Sequence, residues 1–323
     1  MENKEFVISI VTPSYNQGEF LEQTIQSVLS QEGDFFIEYI IMDGGSKDES
    51  VNIIKKYEKL LNNNCIQRSV GEKIFYVSNK NSFEWNKCKG ISYSWVSESD
   101  GGQINALNKG FNKSTGTILA WINSDDYYLD ENVFALIRET YLKDISKVLI
   151  TADGLVVDRE GNESWQHIIG RVDLRELIYL DYHIFQPSTF FYRGLLEEHK
   201  FNKSYKSTFD ADFFISILNS VDNNFVKLHE KISAFRMYGE NITDDKKLKW
   251  RAFQERLRII KTYSSNNFFY FLSSLYHLGS YVIQARFENT RLSRIYMNFF
   301  DLYKNFCYKI ILKERYSDRY IIK

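Results

Sequence analysis

Two adjacent carboxylates, Asp125 and Asp126, directly follow the apolar run "TILAWI" at residues 117–122. Like charges side by side at the end of a buried strand repel each other and resist burial. A divalent cation relieves that repulsion, because Mg²⁺ and Mn²⁺ prefer oxygen ligands and Mg²⁺ commonly binds one or two carboxylates together with substrate phosphates. The letters "NSDD" are equally good turn sequence. The pair therefore predicts either a metal site or a solvated turn.

Two more acidic, glycine-bearing loops follow apolar segments. Asp43 ends the run "EYIIMD" and precedes Gly44 in "GGS", and Asp100 lies in "SESDGG". Glycine lets a ligand approach the backbone closely, and a carboxylate can accept a hydrogen bond from a base or a ribose. Taken alone, Asp43 fits slightly better the N-terminal region of the helix that follows it. Three segments that each end in Asp and small residues nevertheless indicate more than turn chemistry.

The first 61 residues alternate between strand-like and helix-like patterns. Residues 6–12 are β-branched and apolar, as expected of a strand covered on both faces. "EFLEQTIQSVLSQEG" has apolar residues at helical spacing, a second strand follows at 38–43, and a second amphipathic helix comes after it. This order predicts a doubly wound α/β fold with a parallel sheet. Ligands of such sheets bind outside the carboxyl ends of the strands, so Asp43 and the Asp125–Asp126 pair should share one crevice.

The rest of the chain shows three kinds of pattern. Residues 62–90 are polar, rich in Asn and Lys and weakly periodic, which indicates an insertion or a long surface excursion. Regular structure resumes with a strand at 91–98, a short helix and the strand at 117–122, and the elements are mixed from there to residue 245. Residues 246–323 are predicted to form helices rich in Arg, Lys, Tyr and Phe.

Charge is unevenly distributed along the 323 residues, although the net charge is only −1. Residues 246–323 contain 16 Lys and Arg against 5 Asp and Glu, which leaves 25 basic and 37 acidic residues in 1–245. The basic tail predicts contact with an anionic membrane surface or with the acidic body itself. Three widely spaced cysteines predict a reducing cytosol, and the sequence predicts neither a signal peptide nor a membrane-spanning helix.

Seven stretches of the sequence occur in a recognisable order, and together they reach from about residue 6 to 245. They are "ISIVTPSYNQGEFLEQTIQSVLSQ", "EYIIMDGGSKDESVNIIKKYE", "WVSESDGGQINALNKGF", "GTILAWINSDDYY", "FQPSTFFYRG", "FDADFFISIL" and "AFRMYGENIT". This series resembles the family 2 glycosyltransferases of the GT-A fold, and most closely the bacterial branch that builds surface polysaccharides.

The resemblance implies a fold and a division into domains. The GT-A fold is an α/β fold with a Rossmann-like, mostly parallel sheet flanked by helices, and this chain would add a C-terminal helical extension to it. The nucleotide-sugar-dependent catalytic domain would cover residues 1–245, with 62–90 as an insertion. Residues 246–323 would form a separate basic, aromatic, helical region.

The resemblance also implies a donor-nucleotide site at the ends of the strands. Residues 12–16 match the first nucleotide-binding loop, in which the main chain and Tyr15 flank the base. Asp43 matches a carboxylate that contacts the base, commonly uracil, and Asp100 matches a second acidic position near the nucleoside. Lys109 lies where a donor-phosphate contact is implied, although a lysine on a short helix is more often only solvated. The implied donor-binding set is Thr12, Pro13, Tyr15, Asp43, Gly44, Asp100, Lys109, Ser124 and Asp125.

Asp125 and Asp126 match the family's metal- and ribose-binding carboxylates, which implies Mn²⁺ or Mg²⁺ as the cofactor. Asn123 stands where the motif often has its first Asp, and an amide there can still hydrogen-bond a ribose. "FRMYGENIT" resembles an element that usually carries a His at the position of Tyr238, and tyrosine cannot act as the same neutral nitrogen ligand. Arg236 in this element is an implied diphosphate contact, because a guanidinium matches phosphate geometry.

On the acceptor side, Asp210 in "FDADFF" matches the carboxylate that removes a proton from the acceptor hydroxyl in inverting members. Without the resemblance, stabilisation of a helix N-terminus by negative charge would be the simpler role. Gln186 resembles part of an acceptor-side loop, and Trp85 in the insertion is either a sugar-stacking platform or a locally buried Trp. We expect Asp43, Asp126 and Asp210 to gather along one rim.

These features predict an inverting, metal-dependent glycosyltransferase in surface-polysaccharide biosynthesis. The expected donor is a nucleotide-diphosphate sugar, with UDP favoured, and the expected acceptor is a hydroxyl of a glycan or lipid-linked glycan. The transferred group would be a hexose or an N-acetylhexosamine. We expect no nucleic-acid partner and a cytoplasmic location that extends to the inner face of the cell membrane. Residues 246–323 would serve either membrane binding or homo-oligomer formation.

Two alternative functions use the same residues. Asn123 and Tyr238 also suit a protein of the same fold that binds sugar nucleotides or glycans without turnover. A nucleotidyltransferase shares the α/β plan and carboxylate-held metals. That class normally has a basic, glycine-rich triphosphate loop near the N-terminus, and "TPSYNQGEF" contains no basic residue.

Overall fold

The computed structural model of the protein describes residues 5–78, 87–146, 148–170, 172–220, 224–239, 246–264, 266–286 and 302–313. The described chain forms two compact units that alternate along the sequence. The described residues within 1–168, 185–200 and 223–237 form the first, here called the sheet unit. Those within 169–184, 201–222 and 238–323 form the second, here called the helical unit.

The sheet unit is built on one large mixed sheet. Its described strands are β1 (Val7–Ser14), β2 (Gly33–Asp43), β3 (Cys65–Val70), β4 (Lys73–Ser78), β5 (Cys88–Ser97), β6 (Ile118–Trp121), β7 (Tyr127–Tyr128), β8 (Leu149–Val157), β9 (Glu163–His167), β10 (Thr189–Tyr192) and β11 (Phe225–Arg236). Their order across the sheet is β3-β4-β5-β2-β1-β6-β10-β8-β11-β7, and β9 pairs with β8. The predicted parallel arrangement holds for the central strands β5, β2, β1 and β6. β10 and the outer hairpins add antiparallel pairings that the sequence did not indicate.

Helices cover this sheet and make up most of the helical unit. The sheet unit contains α1 (Leu21–Leu29), α2 (Ser50–Asn64), α3 (Gln103–Lys113), α4 (Val133–Lys143), α6 (Leu195–Glu198) and a 3₁₀ turn (Gln186–Ser188). The helical unit contains α5 (Leu174–Tyr179), α7 (Phe209–Ser220), α8 (Lys246–Tyr263), α9 (Asn267–Arg286) and helical residues 302–311. These elements confirm the predicted α/β fold class.

The central strands form because both of their faces are buried. Ile8, Ile10 and Val11 in β1 are wholly inaccessible to solvent, which matches the β-branched, apolar pattern of that segment. In α1, Leu21 and Ile25 lie on one face at helical spacing and enter the same core cluster. Burial of apolar surface is the main favourable term in folding, so this cluster is what fixes the strand ends in place.

The segment predicted as a polar insertion at 62–90 is more regular than expected. β3 and β4 form an antiparallel hairpin, and Tyr76 of β4 pairs with Ile91 at the edge of the central sheet. Lys73 of the hairpin makes an ion pair with the buried carboxylate of Glu38 in β2 and donates to the Lys113 carbonyl at 2.7 Å. Alternation is weak because most side chains of β3 are exposed and those of β4, apart from buried Phe75, are exposed or partly buried, which is why periodicity missed the hairpin. Trp85 lies outside the described residues.

Buried polar contacts hold the helical unit together. The hydroxyl of Tyr308 donates to Glu176 at 2.7 Å, and that of Tyr276 donates to Asp181 at 2.7 Å. Arg256 donates to the carbonyl of Leu180 at 3.1 Å, at the C-terminal end of α5. None of the described helices combines the length and the apolar character that a bilayer crossing requires. The domain boundary predicted at residue 245 stays a prediction, since the two compact units alternate along the chain.

Candidate active site

The carboxyl ends of the four central strands lie at one edge of the sheet. Ser14 at the end of β1 pairs in register with Asp43 at the end of β2, and Asp43 pairs with Ser97 at the end of β5. β6 runs beside β1 in the same direction, and the backbone N–H of Ile122 donates to the Val11 carbonyl at 3.1 Å. The loops after these strands therefore emerge together, as ligand-binding loops of parallel sheets do.

The first two loops are joined by hydrogen bonds between side chains and main chain. The backbone N–H of Asn16 donates to Ser46 Oγ at 2.8 Å, and Asn16 Oδ1 accepts from the Lys47 backbone N–H at 2.8 Å. The backbone N–H of Gly18 donates to Asp48 at 2.7 Å. Asn16 adopts a left-handed conformation, with φ +52°, which asparagine tolerates better than most residues. These bonds fix the shape of the loop predicted to hold a nucleotide.

Asp43 lies inside this arrangement and is only 2% exposed. Its Oδ2 accepts hydrogen bonds from the backbone N–H groups of Gly45 (3.1 Å) and Ser46 (2.9 Å) and from Ser97 Oγ (2.6 Å). The carboxylate thus shapes the turn and ties it to β5. Its predicted contact with a base stays a prediction, since the three donors to Oδ2 described here are groups of the protein.

Three predicted donor residues meet at Gly44. A Cβ atom built on Gly44 would lie 3.2 Å from the ring of Tyr15 and 3.5 Å from both carboxylate oxygens of Asp100. Tyr15 is 61% exposed, and Asp100 accepts a hydrogen bond from the Gly102 backbone N–H at 2.7 Å. An exposed aromatic face and a carboxylate beside a bare backbone can stack a flat ring and accept its N–H donors. This is the part of the site best suited to a nucleoside.

Three other predicted residues of the donor set have partners within the protein. Thr12 is fully buried and shares a hydrogen bond with the Tyr39 hydroxyl at 3.1 Å. Pro13 is buried within β1. Lys109 makes an ion pair with Glu98 at 2.7 Å, with both side chains largely exposed. Their predicted contacts with a donor stay predictions, and their visible roles are to support the strand end and the neighbouring loop.

The carboxylate pair after β6 is asymmetric. Asp126 is 0% exposed, and its two oxygens accept hydrogen bonds from the Arg236 backbone N–H and from Asn123 Nδ2, each at 3.0 Å. Burial, followed by the charge of Asp125, raises the pKa of Asp126 well above its ordinary value. Asp125 is only half-buried. The carbonyls of Ser124 and Asp126 both accept from the Thr24 hydroxyl, at 3.0 and 2.7 Å.

Arg236 holds this loop from inside the protein. Arg236 is 2% exposed. Its guanidinium donates to the carbonyls of Asp125 (3.1 Å) and Arg159 (2.6 Å) and to Gln23 Oε1 (2.6 Å). It also lies 4.7 Å over the ring of Phe20. These contacts give Arg236 a positioning role for the Asp125–Asp126 loop, and its predicted direct contact with a diphosphate stays a prediction.

A network of amides around Asn123 was not predicted from the sequence. Gln186 donates from Nε2 to the Trp121 carbonyl at 2.8 Å, and its Oε1 accepts from Asn123 Nδ2 at 3.3 Å. Asn123 Oδ1 accepts from Gln103 Nε2 at 2.7 Å. The predicted ribose contact of the Asn123 amide stays a prediction, because its donors and its oxygen have partners here. The only sequence signal was the amide at the motif's first position.

The remaining predicted residues lie in the helical unit. Asp210 is in the first turn of α7, and burial raises its pKa to about 6. Its neighbour Asp212 accepts a hydrogen bond from the Tyr263 hydroxyl at 3.3 Å. Tyr238 is half-exposed and follows β11. The expectation that Asp210 shares a rim with Asp43 and Asp126 stays a prediction.

Metal binding by the chain alone would need several ligands in one place. Within the described ranges, no group of three or more His, Cys, Asp or Glu side chains is placed to hold a cation. A hard cation that binds through one or two carboxylates and substrate phosphates needs fewer protein ligands, and half-buried Asp125 fits that chemistry.

Comparison of the sequence with known families and proteins gives a consistent result. A sequence model described as glycosyl transferase family 2 matches residues 9–223. The putative teichuronic acid biosynthesis glycosyltransferase TuaG of Bacillus subtilis (strain 168) is 26% identical over 164 residues, which are 49% of this chain and 54% of that protein. The chain thus spans about half the length of this relative. A PGL/p-HBAD biosynthesis glycosyltransferase of Mycobacterium tuberculosis (strain ATCC 25177 / H37Ra) is 24% identical over 258 residues, 78% of this chain and 87% of that protein.

Solved structures show the same fold at low identity. The structure of S. aureus TarS 1-349 in complex with UDP-GlcNAc matches with a TM-score of 0.53 and 16% identity, over 87% of this chain and 81% of that chain. Mannosyltransferase PcManGT from Pyrobaculum calidifontis in complex with GDP-Man and Mn²⁺ matches with a TM-score of 0.52 and 12% identity, over 93% of this chain and 82% of that chain. This likeness confirms the predicted GT-A fold.

Proposed function

Since the chain belongs to the glycosyl transferase family 2, we propose that it moves a sugar from a nucleotide-diphosphate donor to an acceptor hydroxyl in bacterial surface-polysaccharide biosynthesis. The relatives named for teichuronic acid and for PGL/p-HBAD biosynthesis support this class of pathway. One observation carries the proposal: the cluster of Tyr15, Gly44 and Asp100 and the Asp125–Asp126 loop lie at the same edge of the sheet.

The nucleoside half of the donor fits the cluster at Gly44. A base can stack on the exposed ring of Tyr15, while Asp100 accepts a hydrogen bond from a base N–H or a ribose hydroxyl. We favour UDP, because the family position that Asp43 matches commonly contacts uracil. TarS binds UDP-GlcNAc and PcManGT binds GDP-Man, so a panel of UDP-, GDP- and dTDP-sugars is the direct comparison.

The diphosphate half of the donor fits the loop after β6, together with Mn²⁺ or Mg²⁺. Asp125 is the half-exposed carboxylate of the pair, and Asp126 supports it from within the protein. The metal would supply Lewis-acid chemistry by neutralising the charge that develops on the leaving diphosphate. Arg236 keeps the loop in place through the Asp125 carbonyl and through its own backbone N–H.

Asp210 is the proposed base of an inverting reaction. The acceptor oxygen forms a bond to the anomeric carbon while the bond from that carbon to the donor phosphate oxygen breaks, and the acceptor proton passes to the Asp210 carboxylate. A general base is most effective when its pKa lies near the working pH, and burial raises the pKa of Asp210 to about 6. This single displacement inverts the anomeric configuration. The transferred sugar is a hexose or an N-acetylhexosamine.

The test is turnover of the sugar-nucleotide panel with Mn²⁺ or Mg²⁺, measured as release of the nucleoside diphosphate. We expect one UDP-sugar to be turned over and Asp125→Asn to lower the rate by about 10- to 100-fold or more. Asp130→Asn is the matched control. Asp130 is an exposed carboxylate five residues further along, and its side chain accepts a hydrogen bond from the Asn132 backbone N–H. Equal rates for the wild type and Asp125→Asn would reject the proposed metal loop.

A second candidate is a protein of the same fold that binds sugar nucleotides without turnover. It is favoured by the enclosure of Asp126 and by Tyr238 at the position of the usual His. Nucleotide binding that shifts the melting temperature, combined with no turnover of any donor in the panel, would support this candidate. Turnover that Asp210→Asn abolishes would exclude it.

The helical unit supports a membrane-surface location. Phe268, Phe271, Leu275 and Leu278 follow each other at helical spacing on α9, and each is 43–61% exposed. An exposed apolar stripe in a region of net positive charge is typical of helices that lie on anionic membranes. An acceptor linked to a lipid would then be within reach at the inner face of the cell membrane.

Flotation with vesicles that contain about 30% anionic lipid, which carry a negative surface potential as the cytoplasmic leaflet does, tests this location. We expect the wild type to float with these vesicles and the Phe268→Ser/Phe271→Ser variant to remain at the bottom. Ile145→Ser, which removes an exposed apolar residue from the sheet unit, is the matched control. If the double variant floats like the wild type, the membrane location is wrong. Homo-oligomer formation through 246–323, the alternative, would appear as a mass change of the same variant in light scattering.

A further inference from the structure

The side chain at position 123 must donate two hydrogen bonds and accept one, and only an amide can do both. Gln186 Nε2 donates to the Trp121 carbonyl, so Gln186 can present only its oxygen to Asn123. Asp126 Oδ2 presents a second acceptor to the same nitrogen. Asn123 Nδ2 has two N–H groups and serves both acceptors, while its Oδ1 accepts from Gln103.

A carboxylate at position 123 would have nothing to donate. It would place its charge about 3 Å from Asp126 Oδ2, where Asn123 Nδ2 now lies 3.0 Å away, and would face the Gln186 oxygen at 3.3 Å. Two carboxylates at such a distance in a buried site repel strongly. Asn at this position therefore suits the hydrogen bonds of this loop, whereas an ionised Asp would be repelled by both acceptors.

We propose that Asn123 is a positioning residue that acts through Asp126, and this rests on the proposed function. Asn123 and the Arg236 backbone N–H hold one oxygen each of the fully buried Asp126, which makes Asp126 part of the wall of the site. Asp125, the half-exposed member, is then the carboxylate that meets the metal and diphosphate. The sequence pattern suggested that Asp125 and Asp126 both bind the metal, whereas in this proposal Asp125 binds it and Asp126 supports the loop.

The Asn123 amide also connects the metal loop to α3 and to the 3₁₀ turn at Gln186. Gln103 begins α3, just after the loop that carries Asp100. Gln186 begins the 3₁₀ turn that resembles an acceptor-side loop. A change at Asn123 should therefore act on the metal loop first, and on Gln103 and Gln186 through their hydrogen bonds.

Calorimetric titration of UDP with and without Mn²⁺ tests this role, and it needs no turnover. We expect Mn²⁺ to tighten UDP binding by the wild type. Asn123→Asp should lose about 10- to 100-fold of that Mn²⁺-dependent gain, the usual effect of removing a group that orients a metal ligand. Its affinity for UDP without metal should fall by much less, because the added charge then acts only by repelling the diphosphate. Asn132→Asp makes the same chemical change at an exposed position and serves as the matched control.

The exchanged variant Asn123→Asp/Asp126→Asn decides whether Asp126 positions or ligates. It restores one carboxylate and one amide in contact but leaves a carboxylate facing the Gln186 oxygen, so we expect it to recover part of the Mn²⁺-dependent gain and of the melting temperature. Were Asp126 itself a ligand, the exchange would bind Mn²⁺ as poorly as Asp125→Asn, and the proposal would be overturned. A wild-type response from Asn123→Asp would also overturn it.

Two results separate the failure of this inference from other failures. If Asn123→Asp does not fold, Asn123→Ala removes the same donors without adding a charge, and its titration is interpreted by the same criteria. If the wild type binds no nucleotide with or without Mn²⁺, the proposed function fails and this inference falls with it. Wild-type binding with an unchanged Asn123 variant overturns the inference alone.

Discussion

The loops after β2 and β6 each contain a buried carboxylate, but different parts of the chain hold the two in place. Asp43 accepts hydrogen bonds from Gly45 and Ser46, its neighbours in sequence, and from Ser97 on the adjacent strand. Asp126 accepts one from Asn123 and one from the backbone of Arg236, 110 residues further along. The first loop is largely a local structure, whereas the second depends on a distant strand.

This difference suggests that the two loops serve different halves of a donor. The loop after β2 has the exposed ring of Tyr15 and the carboxylate of Asp100 beside it, which suits a nucleoside. The loop after β6 carries the half-exposed Asp125, which suits a metal-bound diphosphate. Changes in the first loop should therefore weaken nucleotide binding equally with and without metal, and changes in the second should act through the metal.

The largest expected effect comes from a carboxylate outside both loops. Asp210→Asn should lower kcat by about 10²- to 10⁴-fold, because it removes the base that takes the acceptor proton. UDP affinity with and without Mn²⁺ should not change, since neither loop is altered. Steady-state kinetics and calorimetry on one preparation measure both quantities. Asp212→Asn is the control: its amide oxygen can still accept from the Tyr263 hydroxyl, so kcat should stay intact. Near-normal turnover by Asp210→Asn would remove it from the mechanism.

A change in the loop after β2 should be visible in stability. Asp43→Ala removes the oxygen that accepts three hydrogen bonds and leaves their donors without it, so we expect a loss of about 2 kcal/mol in the free energy of unfolding. UDP affinity should fall by the same factor with and without Mn²⁺. Urea denaturation and calorimetry provide the two measurements. A loss of affinity confined to the Mn²⁺ titration would contradict the division between the loops.

The pH dependence of the reaction should follow Asp210. Burial raises its pKa from 3.8 to about 6, so kcat/KM should fall about tenfold per pH unit below pH 6 as the base becomes protonated. The raised pKa also means that the folded protein binds this proton more tightly than the unfolded chain. Asp210 therefore lowers stability as the pH rises from about 4 to 6, and Asp210→Asn should remove that decline. A rate profile that is flat down to pH 5 would argue against Asp210.

A smaller effect is expected from closing the space at Gly44. The methyl group of Gly44→Ala would lie 3.2 Å from the Tyr15 ring and should displace it, at a cost of about 1 kcal/mol, or about fivefold in UDP affinity. The loss should again be independent of Mn²⁺. Calorimetry checks it, with Gly71→Ala as a control: a Cβ atom built there meets no atom within 4 Å, so any effect comes only from the left-handed backbone at φ +61°. Unchanged affinity would place the nucleoside elsewhere.

The smallest effect should come from Lys109→Ala. Lys109 and Glu98 are 41% and 56% exposed, and ion pairs between exposed side chains contribute about 0–1 kcal/mol. If Lys109 only supports its loop, kcat/KM should change by less than about threefold in that range. A much larger loss of kcat/KM with a UDP-sugar, together with unchanged affinity for free uridine, would support the predicted contact with a donor phosphate.

Much of the fold was predictable because it depends on local periodicity. The apolar run of β1 and the helical spacing in α1 are strong patterns, and both elements have the predicted type. The β3–β4 hairpin was missed because few of its side chains are fully buried, so alternation between polar and apolar residues is weak. Its anchor, Lys73 on buried Glu38, joins residues too far apart for any local pattern to reveal.

The site was predictable to the same extent. Strand-end carboxylates such as Asp43 can be located from one segment, because their position follows from the strand that precedes them. Single-segment patterns do not show which groups surround a carboxylate, so the hydrogen bonds that Asn123 and the Arg236 backbone donate to Asp126 could not be predicted from them. The contacts of Arg236 with Gln23 and Asp125 link three separate segments, so its positioning role became visible only in three dimensions.

A crystal structure of the protein with UDP and Mn²⁺ tests most directly whether the two loops form one donor site. The account predicts uracil between the Tyr15 ring and the Asp100 carboxylate, and Mn²⁺ between the diphosphate and Asp125, with Asp126 still bonded to Asn123. A nucleotide bound away from the carboxyl edge of the central strands, or a diphosphate with no contact to the loop after β6, would contradict it.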